Sequence, residues 1–210
     1  MGVKGRLAAI VVVILFNLMR YFYYHVLWKV PFRPSFFILA AVFLAVAWFG
    51  GYQYDRAEYM ASRDPLTGAF NRRSLISHFG RLAGRGNKKF AVILFDLDDF
   101  KEINDRFGHE AGDSVLRTFS EDLRSFIGGR GIVARWGGDE FLAVIRDPEG
   151  NFRERFTDEM MKSIHSLSCE GGRSIGVSFG MAVYPDDGHD LETLVDAADR
   201  SMYRDKLAGK

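Results

Sequence analysis

Between Gly2 and Tyr54 there is not one aspartate or glutamate. An acid-free stretch of that length excludes the hydrated, mixed-charge surface that a soluble domain presents. Cysteine is scarce as well: Cys169 stands alone, which rules out an intramolecular disulfide and suits a reducing compartment, and it reads as a packed thiol rather than a nucleophile. A basic patch is missing too. The 28 Lys and Arg residues are matched by 27 Asp and Glu, leaving a formal charge of +1, and the cations are scattered among acids, so a polynucleotide partner is excluded. Internal repeats and low-complexity tracts are absent.

The acid-free stretch holds two apolar runs, Leu7–Trp28 and Phe36–Tyr54. Each is about the length that crosses a bilayer, roughly 20 residues. Two crossings make a membrane hairpin over residues 1–54. Arg20 is the weak point, since a cation at mid-membrane costs about 2.5–3.5 kcal/mol, but toward the far end of its helix it can snorkel to the interface. Tyr21, Tyr23, Tyr24 and Trp28 then fall where amphipathic aromatics collect, and Pro31 and Pro34 break the chain between the spans. Lys4, Arg6, Arg56, Arg63, Arg72 and Arg73 flank the pair against Lys29 and Arg33 in the loop, a bias that puts both termini in the cytoplasm. The rival, a cleaved signal peptide, needs small residues where Asn17-Leu18-Met19-Arg20 stands.

Residues 55–63 read as a helix connecting the second span to a soluble domain, ended by Asp64-Pro65 because proline disfavours helical geometry in the residue before it. Beyond it the pattern predicts a helix over 71–82, a buried strand over 90–95, a helix over 114–127, and strands over 132–134 and 141–145 joined by a turn. Phe152, Phe156, Met160, Ile164 and Leu167 form a helical stripe of core residues. Ile175, Val177, Phe179, Met181 and Val183 alternate with small residues, a strand with one bulky and one small face, and Leu191, Leu194, Ala198 and Met202 mark a last helix. The order predicts an α+β sandwich with helices covering an antiparallel sheet.

Chemistry concentrates at two places. Phe90–Phe95 runs into Asp96-Leu97-Asp98-Asp99, a buried strand delivering acids to its carboxyl end. Arg135-Trp136-Gly137-Gly138-Asp139-Glu140-Phe141 puts two glycines and two carboxylates at a hairpin tip. Acids from two separate segments are the minimum for a hard cation bridging phosphates. A glycine pair before acids is by itself only a turn signal. Asp98 and Asp99 read as solvated or capping residues, Asp105 and His109 as structural, and Arg135 as one half of an ion pair.

Taken with Asp64-Pro65-Leu66-Thr67-Gly68, Lys101 to Asp105, Gly108-His109-Glu110-Ala111-Gly112-Asp113, Ser178-Phe179-Gly180 and Ala198 to Lys206, these motifs stand in the order found in GGDEF-domain diguanylate cyclases, which the chain resembles over residues 64–210. The resemblance implies a palm-like fold, ferredoxin-like and related to nucleotidyl cyclases, behind the transmembrane helical hairpin. It implies condensation of two GTP into cyclic di-GMP by a homodimer in which each domain holds one GTP. Asp96, the backbone carbonyl of Leu97 and Asp139 would bind two Mg²⁺ or Mn²⁺ ions, with Glu140 assisting the second metal or deprotonation of the 3′-hydroxyl. Gly137 and Gly138 would let phosphate approach, and Asn104 and Asp113 would hydrogen-bond guanine. Lys101, Lys206 and Lys210, with backbone amides around Phe100, would contact phosphate. Such a protein belongs in the inner (cytoplasmic) membrane with its catalytic domain in the cytoplasm.

One departure stands out. The Arg-x-x-Asp product-inhibition site of many relatives falls on Gly128-Gly129-Arg130-Gly131, which lacks both side chains. The rival readings are a degenerate, noncatalytic GTP-binding or docking domain, and a dinucleotide cyclase that uses one ATP. Asp113 weighs against the latter, since a buried acid that adenine leaves unpaired costs about 1–3 kcal/mol.

Overall fold

The computed structural model describes residues 2–31, 33–83, 89–146, 148, 152–164 and 175–208. Cys169, Leu167 and Lys210 lie outside them, as do the side chains of Ile164 and Lys206. The chain divides into two compact units, Met1–Ala61 and Ser62–Lys210.

In the first unit α1 (Lys4–Tyr21) runs into a π-helical stretch, Phe22–Leu27, and α2 (Pro34–Ala61) packs back along it. Both helices are long and apolar enough to cross a membrane. α2 continues without a break into the stretch expected as a connecting helix and ends at Ala61, two residues short of Arg63. At one end of the hairpin, glycines let the backbones touch: a Cβ on Gly51 would come within 2.5 Å of Arg6 Cα, and one on Gly5 within 2.6 Å of the Tyr54 ring. Asp55, the first acid in the chain, is sealed there. It accepts the Gly5 N–H at 2.7 Å and the Arg6 Nε–H at 3.0 Å, while the Arg6 guanidinium lies 5.3 Å from the Trp48 ring centre. At the other end Arg20 donates to the Phe36 carbonyl at 2.7 Å and stacks 4.1 Å from that ring, so its charge is met at the loop rather than at mid-helix.

The second unit is a five-stranded sheet in the order β1-β3-β4-β2-β5. The strands are β1 (Phe70–Asn71), β2 (Phe90–Leu97), β3 (Gly131–Arg135), β4 (Glu140–Arg146) and β5 (Val177–Tyr184). β2 lies between β4 and β5, antiparallel to both, and its sequence is apolar throughout because both faces of the sheet are buried under helices. One face is covered by α4 (Phe100–Phe107), α5 (His109–Ile127) and α6 (Phe152–Ile164), around Ile93, Phe95, Ile103, Phe119, Phe141 and Phe156. The other carries α3 (Arg72–Ala83) and α7 (Leu191–Ala208), over Leu75, Val92, Leu142, Leu194 and Ala198. The small face of β5 is explained by α7: a Cβ on Gly180 would run into the Ala198 carbonyl and lie 2.5 Å from Met202 N.

Two features differ from the antiparallel sheet and the helix list that periodicity predicts. β1 pairs with β3 in parallel, so the sheet is mixed, and two residues are too few to show any hydrophobic period. α4 is a separate two-turn helix after β2, parted from α5 by Gly108 at φ 86°. The boundaries of the other elements shift by a few residues, most at the start of α5, which begins at His109.

Candidate active site

The two acidic segments meet because of strand register. β2 and β4 pair so that Asp96 stands opposite Glu140, and the Leu97 N–H reaches the Asp139 carbonyl at 3.4 Å. Between β3 and β4 the chain reverses within four residues: the Trp136 and Gly137 N–H groups both donate to the Glu140 carbonyl, at 2.8 and 3.3 Å. A Cβ on Gly137 would lie 2.5 Å from Glu140 Oε2, so the glycine leaves the Glu140 carboxylate its place against the turn. Burial, and then the charges of Asp96, Asp139 and Asp199, push the Glu140 carboxyl above its ordinary range, with Arg72 pulling the other way. Arg72 itself rests 4.2 Å from the centre of the Trp136 ring.

This turn is pinned from outside. Arg135 donates to the Gly138 carbonyl through Nη2 at 2.7 Å and Nε at 3.1 Å, and its Nη1 reaches Asp64 Oδ1 at 3.2 Å. Asp64 also accepts the Thr67 hydroxyl at 2.7 Å and amide at 2.9 Å. Burial raises the Asp64 carboxyl, but those two bonds and Arg135 outweigh it and hold it below the usual range. The partner that sequence reasoning left unnamed for Arg135 is therefore in the turn Asp64–Gly68, whose D-x-x-T spacing is the signal for the self-bonded aspartate. Ser120 fastens the same turn to α5, donating to the Thr67 carbonyl at 3.1 Å.

After β2 the chain turns through Asp99 at φ 54° into α4. Asp98 faces β5: its N–H donates to the Gly176 carbonyl at 2.9 Å and its carboxylate accepts the Ser178 hydroxyl at 2.7 Å. Phe100 and Asn104 are half-buried on α4 and Lys101 is exposed. Asp113 is half-buried on α5, immediately after the buried Gly112 against which Asn104 packs. Lys206 lies on α7. Register and the α4–α5 packing thus make two neighbourhoods, one of carboxylates and one of Asn104 and Asp113, joined by the turn at Asp98 and Asp99. A groove of about 620 Å³ lined by Arg63, Phe70, Glu121, Arg124, Gly128 and Gly131 includes none of them.

Among the described residues no three His, Cys, Asp or Glu side chains group as a metal centre. The expected set has only two such side chains, Asp96 and Asp139, beside the Leu97 carbonyl. All its donors are hard oxygens, and the mutual repulsion felt by Glu140 marks a surplus of negative charge that a divalent cation would offset. The residues fit Mg²⁺ or Mn²⁺.

Comparison with known proteins agrees with this geometry. A signalling protein of Caulobacter vibrioides whose role is uncharacterised is 35% identical over 164 residues, 74% of this chain and 20% of that protein. Diguanylate cyclase DosC of Escherichia coli K12 is 33% identical over 153 residues, 70% of this chain and 33% of DosC. The chain thus spans a fifth to a third of these relatives. The crystal structure of a sensory box/GGDEF family protein from Caulobacter crescentus CB15 superposes with a TM-score of 0.64 at 34% identity, over 70% of this chain and 99% of the other. Residues 61–210 match the family model described as diguanylate cyclase, GGDEF domain. With its carboxylate hairpin and mixed sheet, the chain belongs to the GGDEF domain family.

Proposed function

We propose that the chain is a membrane-tethered diguanylate cyclase, condensing two GTP into cyclic di-GMP and two pyrophosphates where two copies of the domain face each other. One observation carries the reading: register sets Asp96 near the end of β2 opposite Glu140 at the start of β4, with Asp139 in the tight turn beside them and open space at Gly138. A triphosphate needs such a place only if cations accompany it, and Asp96, Asp139 and the Leu97 carbonyl would hold them. Bound there, Mg²⁺ or Mn²⁺ would supply Lewis acidity and charge neutralisation at the reacting phosphate.

This chain's own groups do the rest. Asn104 and Asp113 fix the guanine, Asp113 accepting from the N1–H and the amino group. Lys101, Lys206 and Lys210, with amides around Phe100, hold phosphate oxygens, and Gly137 and Gly138 keep side chains out of their way. Glu140 takes the proton as the 3′-oxygen of one GTP attacks the α-phosphate of the other and pyrophosphate leaves. The same step, repeated with the roles exchanged, closes the ring. One domain carries half of the reacting pair, so assembly of two copies sets the rate.

Residues 1–54 are read as an inner-membrane anchor, 55–63 as a connector and 64–210 as the cyclase in the cytoplasm; the two apolar helices support the anchor. Purified protein incubated with GTP and Mg²⁺ should yield cyclic di-GMP by mass. Asp139→Asn should stay folded and lose that product by at least about a thousandfold, since a neutral amide cannot replace a charged ligand. GTP binding without product in the wild type would favour the noncatalytic docking reading, and a mixed product from GTP and ATP would favour the alternative cyclase.

A further inference from the structure

Glycine in the middle of a helix is unfavourable, so its presence in α5 asks for a local reason. Gly112 sits in the first turns of α5 and is buried. The Gly108 N–H donates to the Asn104 carbonyl at 2.9 Å, and the Gly112 N–H to the Gly108 carbonyl at 3.3 Å, so the end of α4 and the start of α5 are held together around this point. A Cβ on Gly112 would fall onto Asn104 Oδ1, 3.0 Å from Asn104 Cγ and 3.2 Å from Phe100 Cζ. These nearest atoms all come from the two α4 side chains. The glycine therefore makes room for the Asn104 carboxamide, not for a close approach of helix to sheet.

We infer that Gly112 is a specificity-determining positioning residue, its missing side chain forming the notch that holds the Asn104 carboxamide beside Asp113. The inference rests on the reading of Asn104 and Asp113 as the guanine-binding pair. A side chain at position 112 meets only the far end of a flexible side chain on its polar side, so the fold can accommodate an alanine by swinging Asn104 away. That same swing removes the hydrogen-bonding group from the place where the base is read. Folding is cheap to preserve and recognition is not.

The test is a double-mutant cycle on the full chain in detergent, with Gly112→Ala, Asn104→Ala and both together, measuring KM for GTP, kcat, and competition by ATP. Gly112→Ala should raise KM for GTP about tenfold, the scale of one lost hydrogen bond, and weaken the preference for GTP over ATP while lowering kcat far less. In the Asn104→Ala background Gly112→Ala should add nothing, because the group it displaces is already gone. A wild-type KM in Gly112→Ala, or effects that multiply in the double variant, would overturn the inference. If Asn104→Ala itself leaves KM and base preference unchanged, it is the guanine assignment that fails, and the inference with it. Thermal melting guards against a variant that does not fold: Gly112→Ala should be better tolerated once Asn104 is alanine, with only the Phe100 ring left to give by a few tenths of an ångström, and an equal loss of stability in both backgrounds would refute the notch.

Discussion

Arg6–Asp55 in the hairpin and Arg135–Asp64 in the domain are separated by 3.0 and 3.2 Å, and the two arginines are almost equally exposed, at 17% and 19%. Their surroundings differ. Asp55 has no solvent exposure, lies in a segment with no other acid before it, and takes its remaining hydrogen bonds from the backbone amides of Gly5 and Arg6. Asp64 keeps 17% exposure and divides itself between Thr67 and Arg135, whose other donors hold the Gly138 carbonyl. The first pair closes one helix on another. The second couples the turn at 64–68 to the carboxylate hairpin, so under the proposed function its loss should appear in turnover before it appears in stability.

The largest effect should come from Asp55→Ala. It leaves the Arg6 guanidinium with the Gly2 carbonyl and the Trp48 ring but no carboxylate, and breaking one half of a buried pair is strongly destabilising. Amide exchange at Gly5 and Arg6 should rise toward the unprotected rate, because their N–H groups lose their acceptor, while the Leu7 N–H keeps the Val3 carbonyl. Asp55→Asn, which keeps an acceptor oxygen, should fall between. Unchanged protection in Asp55→Ala would mean that the glycine contact alone closes the hairpin.

Arg135→Gln should cost about a hundredfold in turnover, the scale of an ångström-sized misplacement of reacting groups. Its effect on stability should be only about 1 kcal/mol, discounted because both partners remain partly in water. Arg135→Lys should recover little, since a single ammonium cannot reproduce the fork that grips Gly138 and Asp64 together. Parallel turnover and melting measurements decide it. An equal loss in both would reduce the pair to ordinary scaffolding.

Asp64→Asn should be milder, about tenfold in turnover, because Arg135 keeps both bonds to Gly138. It also carries a pH signature. The folded pKa of Asp64 lies below the unfolded value of about 3.9, so the native state binds fewer protons there than the unfolded one. The stabilisation is present above that value and is lost as pH falls through the folded pKa. Wild type should therefore lose stability more steeply than Asp64→Asn below about pH 4. Parallel melting curves through that window would show that the carboxylate gains nothing from Thr67 and Arg135.

The contrast between the two pairs also shows what a sequence discloses. The run Phe90–Phe95 and the alternation from Ile175 announce the central strands because burial on a sheet writes its period into the chain. Gly137 and Gly138 announce the turn because adjacent glycines between two apolar strands favour a tight reversal. Pairing between distant residues leaves no such trace. Nothing near Arg6 points to Asp55, and nothing near Arg135 points to Asp64, since an ion pair imposes no spacing on its partners. The short β1 and α4 escaped for want of length, and Gly112 because its neighbour Asn104 belongs to another helix. What is legible is what repeats locally; what is not is what two segments settle between them.

The smallest effect belongs to the shortest pair. Lys89 Nζ and Asp186 Oδ2 lie 2.7 Å apart, closer than either pair above, yet their side chains are 57% and 56% exposed. In water the attraction is screened and two flexible side chains must be held in one geometry, so such contacts are worth about 0.2–1 kcal/mol. Lys89→Ala should lower stability by no more than that, and the difference from wild type should vanish in about 1 M salt, where the Debye length is about 3 Å. Arg135→Gln should keep most of its turnover defect at the same ionic strength, because its bond to Asp64 is partly buried and its donors together fix a shape as well as a charge. If salt erased both differences equally, burial would not be what separates these pairs, and the functional weight given to Arg135 would have to move to the packing of the hairpin itself.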